Sequence, residues 1–149
     1  MKNEIEYTMK YIEEISLNLG DKIYDYYIEE MSCPHNYPNR LPDGYSAIYI
    51  FIYKKDSEYE FLKIGKANEN STVRFQYQHY GFNAKSTLAK SICNDEEFIK
   101  LGINEDNVAE WIKNNLIRIN IYIKSNRAAT ELVEAVLHYK FRPRYEENI

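Results

Sequence analysis

Residues 116–124, Leu-Ile-Arg-Ile-Asn-Ile-Tyr-Ile-Lys, constrain this chain most. Ile117, Ile119, Ile121 and Ile123 alternate with Arg118, Asn120, Tyr122 and Lys124. Successive side chains of a strand point to opposite faces, so the pattern predicts a strand with its isoleucine face buried. Residues 46–54 repeat the logic, with Ile48, Ile50 and Ile52 on one side and Tyr49, Phe51 and Tyr53 on the other. Lys54-Lys55-Asp56-Ser57-Glu58 is a polar turn, and residues 59–65 return as the second arm of a hairpin.

Helices fill the intervals. Ile5, Met9, Ile12, Ile15 and Leu19 recur at helical spacing over 2–19, Gly20 ends that helix, and Asp21 can cap a second one through Met31. Residues 32–44 are a Pro-punctuated loop. Ser71 or Thr72 can cap a helix over 73–80, ended by Gly81. Ser86 begins a short helix over 87–93, and 95–101 and 105–115 also read as helical. Ser125 or Asn126 caps the last helix, 127–141, which Pro143 terminates. Its apolar stripe is Leu132, Val133, Val136 and Leu137; Glu131, Glu134 and His138 form the polar one. The expectation is an α/β chain of the α+β kind. A small three-stranded antiparallel sheet is flanked by helices over 45–149, behind an N-terminal helical extension and loop over 1–44.

No stretch is long and apolar enough to span a membrane. The acidic, periodic start is unlike a signal peptide. Cys33 and Cys93 fit no zinc spacing, although Cys33-Pro34-His35 carries two ligand types. A reduced cytoplasmic protein is expected. The net charge of −4 is unevenly spread. Residues 1–31 carry three lysines against eight acids, and 94–110 one lysine against six, each a net −5. Residues 63–90 carry five basic residues against Glu69, and 118–144 six against Glu131 and Glu134, each a net +4. Solvated helices produce such blocks too, but local sign matters more than net charge to a polyanion.

The two basic blocks, with the strand at 46–54, carry a constellation of chemical groups. Tyr49 lies in Ala47-Ile48-Tyr49, followed by Lys63-Ile64-Gly65, Arg74 and His79. Glu134 then stands nine residues before Pro143 in Glu-x-x-Leu-x-x-x-x-x-Pro-x-Tyr. This order and spacing resemble the GIY-YIG nuclease family over about residues 45–146. The variant has lysine in place of the second motif's tyrosine, as in some restriction endonucleases. The first motif has Ala47 where the family has glycine. Glu146 stands where the family has asparagine, with Asn148 two residues on.

The resemblance implies a DNA endonuclease that hydrolyses phosphodiesters with Mg²⁺ or Mn²⁺. Tyr49 would be the general base or would orient the attacking water. A phenol titrates near ~10, and an adjacent cation such as Lys63 would lower it. Arg74 would grip the scissile phosphate with its planar fork. His79 would touch phosphate or a metal-held water, although it follows Arg74 by five residues rather than the family's four. Glu134 would bind the metal, one carboxylate sufficing because Mg²⁺ keeps several waters. Glu131 competes for that role. Lys66, Arg74, Lys85, Lys90, Arg142 and Arg144 would contact DNA.

Plainer readings stand beside each of these. Tyr49 also fits a half-buried strand tyrosine, Lys63 an edge lysine, and Arg74 and Glu134 exposed helix residues. Cutting both strands of a palindrome takes two sites, hence a homodimer. A catalytically inactive binding or interaction module on the same fold is the alternative. A non-nuclease interaction protein held by its acidic helices comes third.

Overall fold

The computed structural model describes residues 1–20, 23, 25–124 and 126–146. Helix α1, Lys2–Asn18, buries Ile5, Met9 and Ile12. Gly20, at φ +101°, ends it in a conformation that favours glycine. Asp21, the expected cap of a second helix, lies outside the described residues. That second helix is not formed. Tyr26–Met31 is strand β1 instead.

Strand β2, Tyr45–Lys55, and strand β3, Glu58–Ala67, form the expected hairpin through Asp56 and Ser57. Then come α2, Thr72–Gln76, a 3₁₀ turn, Gln78–Tyr80, and α3, Leu88–Cys93. Thr87 rather than Ser86 caps α3, accepting from the Lys90 amide. Helices α4, Glu96–Ile99, and α5, Val108–Asn115, lead into β4, Leu116–Lys124. Asn126 caps α6, Arg127–Phe141, by accepting from the Ala129 amide.

The sheet has four antiparallel strands, ordered β1-β4-β2-β3. The three-stranded expectation fails at residues 26–31, expected to continue a helix capped by Asp21. Tertiary pairing decides otherwise. Tyr27 stacks on Tyr122, its register partner, with ring centroids 4.6 Å apart. Glu29, opposite Asn120, accepts from Asn120 Nδ2 at 2.9 Å and from the Tyr122 hydroxyl at 2.7 Å. Ile28, on the alternate face, packs with the isoleucines of β2 and β4.

Two cores sandwich this sheet. Ile48, Ile50, Ile52, Ile119, Ile121 and Ile123 pack with α1 and α6. Tyr49, Phe51, Leu62 and Tyr122 pack with Phe75, Leu88, Ile92, Phe98 and Ile112 of α2–α5. The supposedly outward face of β4 is therefore buried, with Arg118 only 1% exposed. The segment between β3 and β4 folds back as four short helices and covers it.

Strand β3 carries a bulge. Phe51 pairs with Lys63 and Ile52 with Phe61, so Leu62 is the extra residue. A bulge lets consecutive side chains leave on one face. Phe61 accordingly joins the α1–α6 core and Leu62 the α2–α5 core, while Lys63 Nζ reaches the Ser86 carbonyl at 3.3 Å.

Candidate active-site groove

Gly65 opens the site. It pairs with Tyr49 across the hairpin and belongs to edge strand β3. A Cβ on Gly65 would lie 2.5 Å from the Tyr49 hydroxyl oxygen and 2.6 Å from two ring carbons. Having no side chain there, the edge strand lets the Tyr49 ring lie across it. A groove of about 590 Å³ runs along this edge, between α2 and α6. Tyr49, Gly65, Lys66, Arg74, Glu134 and Arg142 line it, with His138, Tyr139 and Glu146. His138 Nε2 donates to the Ile64 carbonyl at 2.9 Å, pinning α6 to the edge of β3.

His79 holds Tyr49 from behind. Its Nε2 lies 2.7 Å from the Tyr49 hydroxyl, and its Nδ1 accepts from the Leu88 amide at 3.1 Å. An Nδ1 that accepts leaves the proton of a neutral imidazole on Nε2. His79 therefore donates to the phenolic oxygen, an arrangement that stabilises negative charge on it. Burial pushes the His79 pKa down to about 3, reinforced by the charges of Lys63, Arg118 and Arg74. The ring is neutral at ordinary pH and buried, so its contact is with the tyrosine rather than with a phosphate.

Lys63 also lies inside. It is 3% exposed and opposes Phe51, not Tyr49. The bulge re-aims it toward the Ser86 carbonyl and the His79 ring, whose pKa it depresses. Arg74, in the first turn of α2, is exposed on the opposite wall of the groove from α6.

Glu134 and Glu131 separate clearly. Glu134 lines the groove, its side chain 25% exposed and 4.0 Å from Lys66 Nζ. Glu131 sits one turn earlier, outside the groove lining. It pairs with Lys66 and Arg127, each at 3.4 Å, and Lys66 holds its carboxyl below the ordinary range.

The six expected DNA contacts do not form one patch. Lys66, Arg74 and Arg142 line the groove. Lys85 and Lys90 line a separate hollow with Asn94 and Asp95. Arg144 faces acids: Asp95 at 2.8 Å, Glu97 at 2.9 Å and Glu60 at 3.3 Å. Its amide and that of Tyr145 donate to the Phe61 and Leu62 carbonyls, so the tail pairs with β3 at the bulge. The Tyr145 hydroxyl donates to Asp95 at 2.6 Å. Asn148 lies outside the described residues.

Sequence reasoning passed over Arg118. Its Nη2 donates to the Phe75 carbonyl at 2.7 Å and its Nε to Asn120 Oδ1 at 2.8 Å. Asn120 in turn reaches Glu29. The guanidinium lies 5.6 Å from the Tyr49 ring centroid and 4.8 Å from that of Phe75. A fixed positive charge thus stands behind the phenol. The available signal was the number of residues between β3 and β4, enough to cover a second sheet face.

No family model, curated protein or solved structure matches this chain.

Among the described residues, no three His, Cys, Asp or Glu side chains cluster as a ready metal cage. His35 of the Cys33-Pro34-His35 segment is turned inward: its Nδ1 donates to the Leu116 carbonyl and its Nε2 meets the Tyr80 hydroxyl. The groove offers two hard carboxylates, Glu134 and Glu146, the latter 4.0 Å from His138 Nδ1. That donor set fits a cation such as Mg²⁺, which retains most of its water and takes further oxygens from a phosphate. No described helix is long and apolar enough to cross a membrane.

Proposed function

We propose that this protein is a metal-dependent endonuclease that hydrolyses DNA phosphodiesters in the groove along β3. The observation that carries the reading is convergence. Tyr49, Arg74 and Glu134 come from a central strand, a short helix and the last helix, far apart in sequence, yet line one groove, with Tyr49 at its closed floor, 1% exposed. A phenol, a guanidinium and a carboxylate along one groove are parts that phosphodiester hydrolysis can use.

Glu134 would hold Mg²⁺ or Mn²⁺. The bound ion would neutralise charge on the phosphate and help the leaving oxygen depart. Arg74 grips a non-bridging oxygen and offsets charge growing at phosphorus. Tyr49 orients the attacking water and takes its proton, its oxygen held in place by His79 Nε2–H. Lys63 and Arg118 supply fixed positive charge behind that oxygen, so its negative form is met by a prepared environment. Lys66 and Arg142 hold flanking phosphates. His79 and Lys63 thus act through Tyr49 rather than on the substrate. Cutting two strands takes two such grooves, which makes a homodimer the working assembly.

Magnesium-dependent nicking of supercoiled plasmid tests this. Wild type should nick, while Glu134→Ala and Tyr49→Phe should each lose roughly a hundredfold or more in rate. Variants cutting like wild type would refute the roles. A second reading, an inactive nucleic-acid-binding module, draws on Lys66 standing 4.0 Å from the Glu134 carboxylate as a built-in counter-ion. Binding without any cutting, by wild type and variants alike, would establish that reading instead.

A further inference from the structure

A second groove of about 570 Å³ adjoins the first, between α1 and α6. It is lined by Tyr7, Tyr11, Val136, Tyr139, Lys140 and Arg142, and Tyr139 and Arg142 belong to both grooves. Its tyrosines are unusually open: Tyr7 is 72%, Tyr11 58% and Tyr139 76% exposed. Adjoining exposed aromatics mark a surface that meets a partner. Two cations sit among the rings. Lys140 Nζ lies 5.7 Å from the Tyr7 ring centroid and donates to Thr8 Oγ1 at 2.9 Å. The Arg142 guanidinium lies 5.3 Å from the Tyr139 ring centroid.

We infer that this surface is a stacking platform for unpaired bases of a nucleic acid whose duplex part occupies the catalytic groove. Single strands are held by aromatic faces that stack bases and by cations that track the phosphates, and the two kinds of group alternate here. The platform continues the catalytic groove through Tyr139 and Arg142, so a strand leaving one enters the other. The acidity of α1 does not stand in the way. Glu6 and Glu13 act on Tyr26 of β1, on the other flank of the helix. By helical spacing Glu4 and Glu14 stay near the Tyr7–Tyr11 side, and they confine the platform to the rings nearest α6. The inference rests on the nuclease reading and narrows its substrate to DNA with a single-stranded branch, flap or end.

The test is fluorescence anisotropy with the full chain in magnesium-free buffer, where nothing is cut. A blunt duplex is compared with the same duplex carrying a short single-stranded tail. The tail should tighten binding roughly tenfold, as stacking of even one base on an aromatic face does. That gain should vanish in Tyr7→Ala/Tyr11→Ala, whose side chains lie outside the catalytic groove, with blunt-duplex affinity unchanged. Equal binding of both DNAs by wild type, or a tail effect that survives in the variant, would overturn the platform and leave the nuclease reading intact. A change in sedimentation of the DNA-free variant, from dimer to monomer, would make this a protein interface and likewise overturn it. Binding of neither DNA would fell the nuclease reading itself.

Discussion

A missing side chain gives the groove its shape. Only glycine at position 65 leaves room for the Tyr49 ring, because a Cβ would press on the hydroxyl and two ring carbons at 2.5–2.6 Å. Gly65→Ala should therefore displace the ring and break its hydrogen bond from His79. We expect cleavage to fall at least tenfold and stability by about 1–3 kcal/mol, the usual cost of overpacking. Plasmid nicking and thermal unfolding measure both. Gly81→Ala is the control: its Cβ would meet nothing within 4 Å, so neither quantity should move. The sequence showed Tyr49, Arg74 and Glu134 as candidates through their spacing. It did not show that His79 faces Tyr49 rather than the solvent, because that depends on how the 3₁₀ turn sits under α3. Nor did it place Lys63, whose direction is set by a one-residue bulge that leaves no mark on the alternation.

Strands and helices with clear periodicity were readable: β2, β3, β4, α1 and α6 formed within a few residues of expectation. Strand β1 was not, since Tyr-Tyr-Ile-Glu-Glu-Met satisfies helical and extended patterns alike and only its pairing with β4 decides. Arg118, Asn120 and Tyr122 misled for a related reason. A polar face of a strand reads as solvent-facing, yet these side chains are buried and bonded to one another and to their neighbours. The N-terminal segment is a structural part of the sheet and core. A chain beginning at Tyr45 would lose Ile5, Met9 and Ile12, all fully buried, together with β1 and the buried Leu41. Burying each large aliphatic contributes about 1.5–3 kcal/mol, against a total stability near 5–15 kcal/mol for a typical domain. Such a truncation should be unfolded in circular dichroism and show collapsed amide dispersion by NMR. A cooperative unfolding transition in the truncated chain would refute this.

For the molecule as a whole, two buried histidines couple folding to acidity. Burial lowers the His79 pKa to about 3 and that of His35 to about 4, with Arg118 adding to both effects. Both are held neutral in the fold, whereas an unfolded chain's histidine titrates near ~6.5. Above that pH neither state carries the protons, and stability is full. As pH falls through ~6.5 the unfolded chain takes up protons that the native one refuses, so stability drops until the native values are reached. Each histidine contributes a slope of about 1.4 kcal/mol per pH unit in that window. The urea midpoint should accordingly decline between pH 6.5 and about 4, less steeply in His79→Asn. A flat midpoint across that range would mean that neither ring is held neutral. The charge blocks, by contrast, do not map onto surfaces as simply as their order suggests, because Arg144 neutralises part of the acidic 94–110 block instead of extending the basic groove.

The tight fit of Tyr49 over Gly65 also has a consequence for descent. Two positions sixteen residues apart share one volume, so residue 65 cannot gain a side chain while residue 49 keeps its ring. A lineage that enlarges residue 65 must first shrink residue 49 and surrender its phenol. In any set of homologous chains a side chain at 65 is expected only where 49 has lost its ring.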